Sequence, residues 1–172
     1  MKPLLFDATP LIYLTRVGLL NLIETIPEQK FAARSVFREV VERGKEKGLA
    51  DALALARLFD VESISIVDPK DMALLRTLSR IQGLEESDAE TLAIAKERDY
   101  KAIVDDLLAR KVARTYGIDF AGTPYILILG IRNHLLTKQS ATKAIDDMIE
   151  AGWRCGPEIY RIIIRLIEET SS

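Results

Sequence analysis

Short apolar runs recur along this chain, and a stretch with helical periodicity follows each of them. Leu4-Leu5-Phe6, Phe31-Ala32-Ala33, the alternating segment Val61 to Val67, Ala102-Ile103-Val104 and Ile118-Asp119-Phe120-Ala121 read as strands. Between them, apolar residues spaced three and four apart mark helices. Strands that are short and joined through helices pair side by side by way of crossover connections. This restricts the chain to an α/β fold, a mostly parallel sheet with helices packed against it. Its 172 residues, 48% of them hydrophobic, suit a single domain over 1–172, and no repeat, low-complexity tract or linker divides them.

Local signals place the helix boundaries. Thr9 before Pro10 reads as an N-cap with proline at the first helical position. Ser35 reads as the cap of a helix whose apolar side is Val36, Phe37, Val40 and Val41. Ser87-Asp88-Ala89-Glu90 has the form of a capping box opening a helix to about Asp99. Further helices are expected over about 50–59, 69–81, 124–135, 141–151 and 157–169. The aliphatic stretches Ile126 to Ile131 and Ile159 to Ile167 exceed what a monomer of this size needs to bury, so a homodimer is expected.

Several classes of function are excluded. The longest apolar runs, Tyr125 to Leu129 and Ile162 to Ile164, fall far short of the ~20 residues of a membrane-spanning helix. Asp7 arrives too early for a signal peptide. The single Cys155 requires no oxidising compartment, so a cytoplasmic protein is expected. With 24 basic and 26 acidic residues the formal charge is −2, and any polyanion must be held locally. His134 is the only histidine, which removes multi-histidine zinc sites and leaves a Ser-His-Asp triad without support. A phosphotransferase of the haloacid-dehalogenase kind wants a second Asp two positions after the first, and Thr9 stands there. Chemistry therefore falls to carboxylates acting with a metal.

Acids sit where an open parallel sheet binds ligands, at the carboxyl ends of strands. Asp7 follows the first strand, and Asp105 and Asp106 follow the fourth. Asp88 and Glu90 open a helix. Glu39 flanks the apolar stripe of the Ser35 helix, whereas Glu42 points to its solvated side. Carboxylates that converge repel one another unless a cation neutralises them. A hard ion such as Mg²⁺ or Mn²⁺ takes oxygen ligands and bridges to phosphate, which makes hydrolysis of a phosphodiester feasible.

These segments resemble the motifs of PIN-domain nucleases. Asp7-Ala8-Thr9-Pro10-Leu11-Ile12-Tyr13-Leu14 is similar to the first motif and Ser35-Val36-Phe37-Arg38-Glu39-Val40 to the second. Leu84 to Ala95 is similar to the third and Ile103 to Ala113 to the fourth. Gly122-Thr123-Pro124 and Gly152-Trp153-Arg154 resemble a prokaryotic subgroup related to VapC toxins. The resemblance implies a three-layer fold with a five-stranded parallel sheet in the order 3-2-1-4-5, and a Mg²⁺- or Mn²⁺-dependent ribonuclease. It implies Asp7, Glu39, Asp88, Asp105 and Asp106 as catalytic residues, Asp7, Asp88, Asp105 and Asp106 as metal ligands, and Thr9 as an auxiliary. Ser87-Asp88 departs from the Gly-Glu often found in the third motif, and the register of the fourth leaves open which of Asp105 and Asp106 meets the metal. Arg38, Arg110 and Arg114 are the expected phosphate contacts. RNA, an antitoxin protein and a second copy are the expected partners; a PIN-like module that binds RNA or protein without cleaving is the alternative.

Overall fold

The computed structural model describes residues 1–171. The chain begins with β1 (Leu4–Phe6), α1 (Ala8–Arg16), α2 (Leu20–Thr25) and β2 (Lys30–Ala33). One continuous helical run follows, made of α3 (Arg34–Phe37), a π-helical stretch (Arg38–Glu42) and α4 (Arg43–Glu46). Then come α5 (Ala50–Asp60), β3 (Ser65–Val67), α6 (Met72–Ser79), α7 (Glu86–Arg98), β4 (Lys101–Ile103) and α8 (Leu107–Thr115). The chain continues through β5 (Phe120–Ala121), α9 (Thr123–Arg132), α10 (Lys138–Glu150) and α11 (Pro157–Glu169). The five strands form one parallel sheet in the order β3-β2-β1-β4-β5.

All three residues of β1 are buried, as befits a central strand covered on both faces. α7 lies against β1, β2 and β4 with α6 and α8 beside it, while α1 packs with α5, the π-helical stretch and α10. The late helices belong to the same core. Ile126, Leu127, Leu129 and Ile131 of α9 are buried within the chain, and Ile128 is half-buried, so most of this stretch packs internally. On α11, Ile163 and Ile167 face inwards, but Ile159, Ile162 and Leu166 remain about half exposed.

The capping signals resolve differently from the sequence reading. α1 starts directly after the strand, with Asp7 at its N-cap, so Thr9 and Pro10 lie inside its first turn. Proline is tolerated there because the first N–H groups of a helix have no internal partner. α3 starts at Arg34, and the Ser35 hydroxyl caps nothing. The Ser35 N–H instead donates to the Glu90 carboxylate at 3.0 Å. Glu90 therefore caps a helix other than its own, because α7 packs alongside α3. α7 itself begins at Glu86 with Glu85 at the N-cap, which places Ser87 and Asp88, both buried, in its first turn.

Candidate active site

The chain runs from β1 outward to β2 and β3, then returns to place β4 on the other flank of β1. The crevice beyond the carboxyl ends of β1 and β4 is thus the topological switch point. Register brings Phe6 opposite Ile103, and the Asp7 N–H donates to the Ile103 carbonyl at 3.1 Å. Asp7 leaves β1 at this crevice, and Asp105 and Asp106 leave β4 beside it.

Asp7 is 4% exposed, and its Oδ1 is buried with no hydrogen-bond partner. Burial raises its pKa well above the ordinary carboxylate value, and the neighbouring charge of Asp88 raises it further. Glu39 and Asp105 add to this repulsion, while the Ala8 N–H favours the charged form. Asp88 is pushed up to about 6, first by burial and then by the charge of Asp106. Glu39 is also raised, chiefly by burial; a hydrogen bond from Ser87 opposes the shift and the charge of Glu85 adds to it. Five of the acids read from the sequence therefore share one field: Asp7, Glu39, Asp88, Asp105 and Asp106.

Glu39 sits in the π-helical stretch. Such stretches widen a helix by one residue, re-aim its side chains, and are frequent at functional sites. Glu42 is exposed on the far side. A cavity of about 50 Å³ opens beside Glu39, lined also by Ser35, Arg38, Arg43, Glu85, Glu86 and Ser87. The Ser35 Oγ is buried there without a partner.

The last two acids differ in their surroundings. Asp106 caps α8, its Oδ1 accepting the Ala109 N–H at 2.9 Å, and is exposed. Asp105 is turned into the protein, where Arg110, Thr123 and Trp153 all donate to it. Sequence reasoning assigned no role to Thr123 or Trp153, although the glycine-bearing segments around them stood out.

The expected phosphate contacts are spread over three settings. Arg38 stands at the cavity rim and donates to Glu86 at 2.9 Å. Arg110 is held inside by the Val104 carbonyl at 2.8 Å and by Asp105 at 3.0 Å. Arg114 lies in the last turn of α8, over the Phe120 ring at 5.7 Å from its centroid. A helix rises 1.5 Å per residue, so Arg114 sits on the order of 12 Å along the axis from the acidic end. Thr9 is half-buried in the first turn of α1, two residues from Asp7.

A parallel sheet in this order, with carboxylates gathered at its switch point, defines a doubly wound α/β domain with an acidic crevice. The chain belongs to the PIN-domain family: the family model described as PIN domain matches residues 3–169. No curated protein matches the chain. PIN domains are generally nucleases and typically use divalent metals. Among the described residues no helix is long and apolar enough to cross a membrane.

The donor set suits such a metal. It is all carboxylate oxygen, the preference of Mg²⁺ and Mn²⁺, and Asp7 Oδ1 is a buried acceptor with no protein donor. Among the described residues no three His, Cys, Asp or Glu side chains form a ready-made ligand cage. Mg²⁺ does not need one, since it keeps several waters and binds through one or two carboxylates together with substrate phosphate.

Proposed function

We propose that this protein is a metal-dependent ribonuclease that hydrolyses RNA phosphodiester bonds. The observation that carries the reading is the buried Asp7 carboxylate, its Oδ1 without a partner and its pKa raised beside Asp88, at the switch point of a PIN domain. An acid in that setting is costly for the metal-free fold and becomes useful once a cation neutralises it. Asp7, Asp88 and Asp106 would hold Mg²⁺ or Mn²⁺. When bound, the ion supplies a water of lowered pKa and stabilises charge on the phosphoryl group. Glu39, its pKa raised by burial, accepts a proton from the attacking water. Arg38 and Arg43 at the cavity rim contact the RNA backbone.

Purified protein incubated with single-stranded RNA and Mn²⁺ tests this directly. Cleavage is expected with metal and none with chelator, and Glu39→Gln should slow it at least about 100-fold. RNA binding without cleavage under any divalent metal would instead support a non-cleaving module. The resemblance of the motifs to VapC toxins extends the proposal to a toxin neutralised by an antitoxin. A small DNA-binding protein encoded next to this one would support that setting.

The exposed face of α11 supports pairing with a second copy. Ile159, Ile162 and Leu166 are spaced three and four apart, the seam of a two-helix contact. In an antiparallel pair, Glu158 of one copy faces Arg165 of the other, and the two-fold repeats the pair. Light scattering should give twice 19.3 kDa, and Leu166→Glu should return the monomer. A wild-type monomer at micromolar concentration would remove this element of the proposal.

A further inference from the structure

Neither oxygen of the Asp105 carboxylate is free. Oδ1 accepts the Arg110 Nη2–H at 3.0 Å and the Thr123 N–H at 2.9 Å. Oδ2 accepts the Thr123 hydroxyl at 2.5 Å and the Trp153 indole N–H at 2.9 Å. The side chain is only 7% exposed. Arg110 is fixed from its other side by the Val104 carbonyl, so its guanidinium bridges the end of β4 to Asp105. Gly122 leaves room for this bridge: a Cβ there would lie 2.0 Å from Arg110 Nη2 and 2.9 Å from Asp105 Oδ1. The two late segments Gly122-Thr123-Pro124 and Gly152-Trp153-Arg154, distant in sequence, thus converge on one carboxylate.

Asp106 follows in extended backbone, where successive side chains point opposite ways. It spends one hydrogen bond on capping α8 and stays exposed. We propose that Asp105 is a positioning residue and not a metal ligand: it ties the β5–α9 turn and the α10–α11 loop to the end of β4, and so holds Asp106 towards Asp88. Displacing Asp105 onto a metal would leave the buried Trp153 N–H and Thr123 N–H without acceptors, and an unsatisfied buried donor is costly. The inference rests on the reading of Asp106 as a ligand. It predicts that groups touching no metal still control metal binding, as partners behind a ligand do.

Trp153 is the only tryptophan, so its fluorescence reports on the Asp105 bond itself. Asp105→Asn, Trp153→Phe and the double variant are compared with wild type by Mn²⁺ affinity, thermal melting and, where Trp153 remains, emission. Each single variant should weaken Mn²⁺ binding about 10-fold. The double should lose no more than the worse single, because both break the same latch. Trp153 emission should shift in metal-free Asp105→Asn. Three patterns overturn the proposal: Mn²⁺ binding abolished in Asp105→Asn but unchanged in Trp153→Phe, as for a ligand; variants that melt earlier yet bind Mn²⁺ like wild type, as for a purely structural acid; or unchanged emission in Asp105→Asn. If Asp105→Asn does not fold, Thr123→Val removes one donor and takes its place, with weakened Mn²⁺ binding expected and wild-type affinity overturning the proposal. A wild-type protein that takes up no Mn²⁺ brings down the ribonuclease reading first, a distinguishable failure.

Discussion

Asp7→Asn is expected to melt later than wild type in the absence of metal and to lose Mn²⁺ binding and RNA cleavage together. The two effects have one cause. Asp7 Oδ1 is buried without a donor, and Asp88, Glu39 and Asp105 bring like charge against it. An unsatisfied buried acceptor costs about 1–3 kcal/mol, which the metal-free fold must carry. Asparagine keeps the shape, removes the charge, and offers an amide donor to the neighbouring carboxylates. For a domain of this size a gain of about 2 kcal/mol raises the melting temperature by about 4–8 °C. The same exchange deletes a charged ligand from the deepest point of the site, so Mn²⁺ affinity should fall beyond measurement. An Asp7 whose role was only to hold the β1–α1 junction would behave in the opposite way, with lower stability and intact metal uptake. Mn²⁺ titration and metal-free melting on one sample separate the two.

Much of this site was legible in the residues. Asp7 and the Asp105-Asp106 pair mark strand ends because an apolar run stops at each, and the structure ends β1 and β4 next to them. The sheet order was not readable from periodicity, which says that strands alternate with helices but not which are neighbours. That order came from family resemblance, and the observed pairing agrees with it. Capping signals misled where the true partner came from elsewhere. Ser35 and Ser87 look like caps locally, yet the Ser35 N–H is satisfied by Glu90, 55 positions on. The π-helical stretch was invisible because Val40 and Val41 fit an ordinary helical stripe. Arg110 reads in the sequence as a phosphate contact, since nothing local reveals that the Val104 carbonyl and Asp105 claim it. Trp153 meets Asp105 across 48 residues, a contact that only the folded chain defines.

Without metal, the protein is expected to be more stable near about pH 5 than near about pH 7.5, and a divalent ion should reverse that order. Asp88 has a folded pKa of about 6 against an ordinary 3.8, and Asp7 and Glu39 are displaced in the same direction. Between the two values the folded chain keeps a proton that the unfolded chain has released. Stability therefore falls as pH rises from about 4 through about 6, and stays lower above that. For Asp88 alone the full effect is on the order of 3 kcal/mol, or several degrees of melting temperature. Asp119 and Asp68 work the other way, since Lys101 and Lys2 hold the first below its ordinary value and Arg34 the second. Their contribution is lost only as pH drops below about 4, outside this window. A metal competes with the same protons and binds only the ionised carboxylates, so Mn²⁺ should raise the melting temperature far more at about pH 7.5 than at about pH 5. Asp88→Asn should flatten the metal-free profile and abolish most of the metal-induced rise. A metal-free melting temperature that climbs steadily from about pH 5 to about pH 7.5 would show that the acids at the switch point carry no shared strain, and the reason for placing a cation there would go with it.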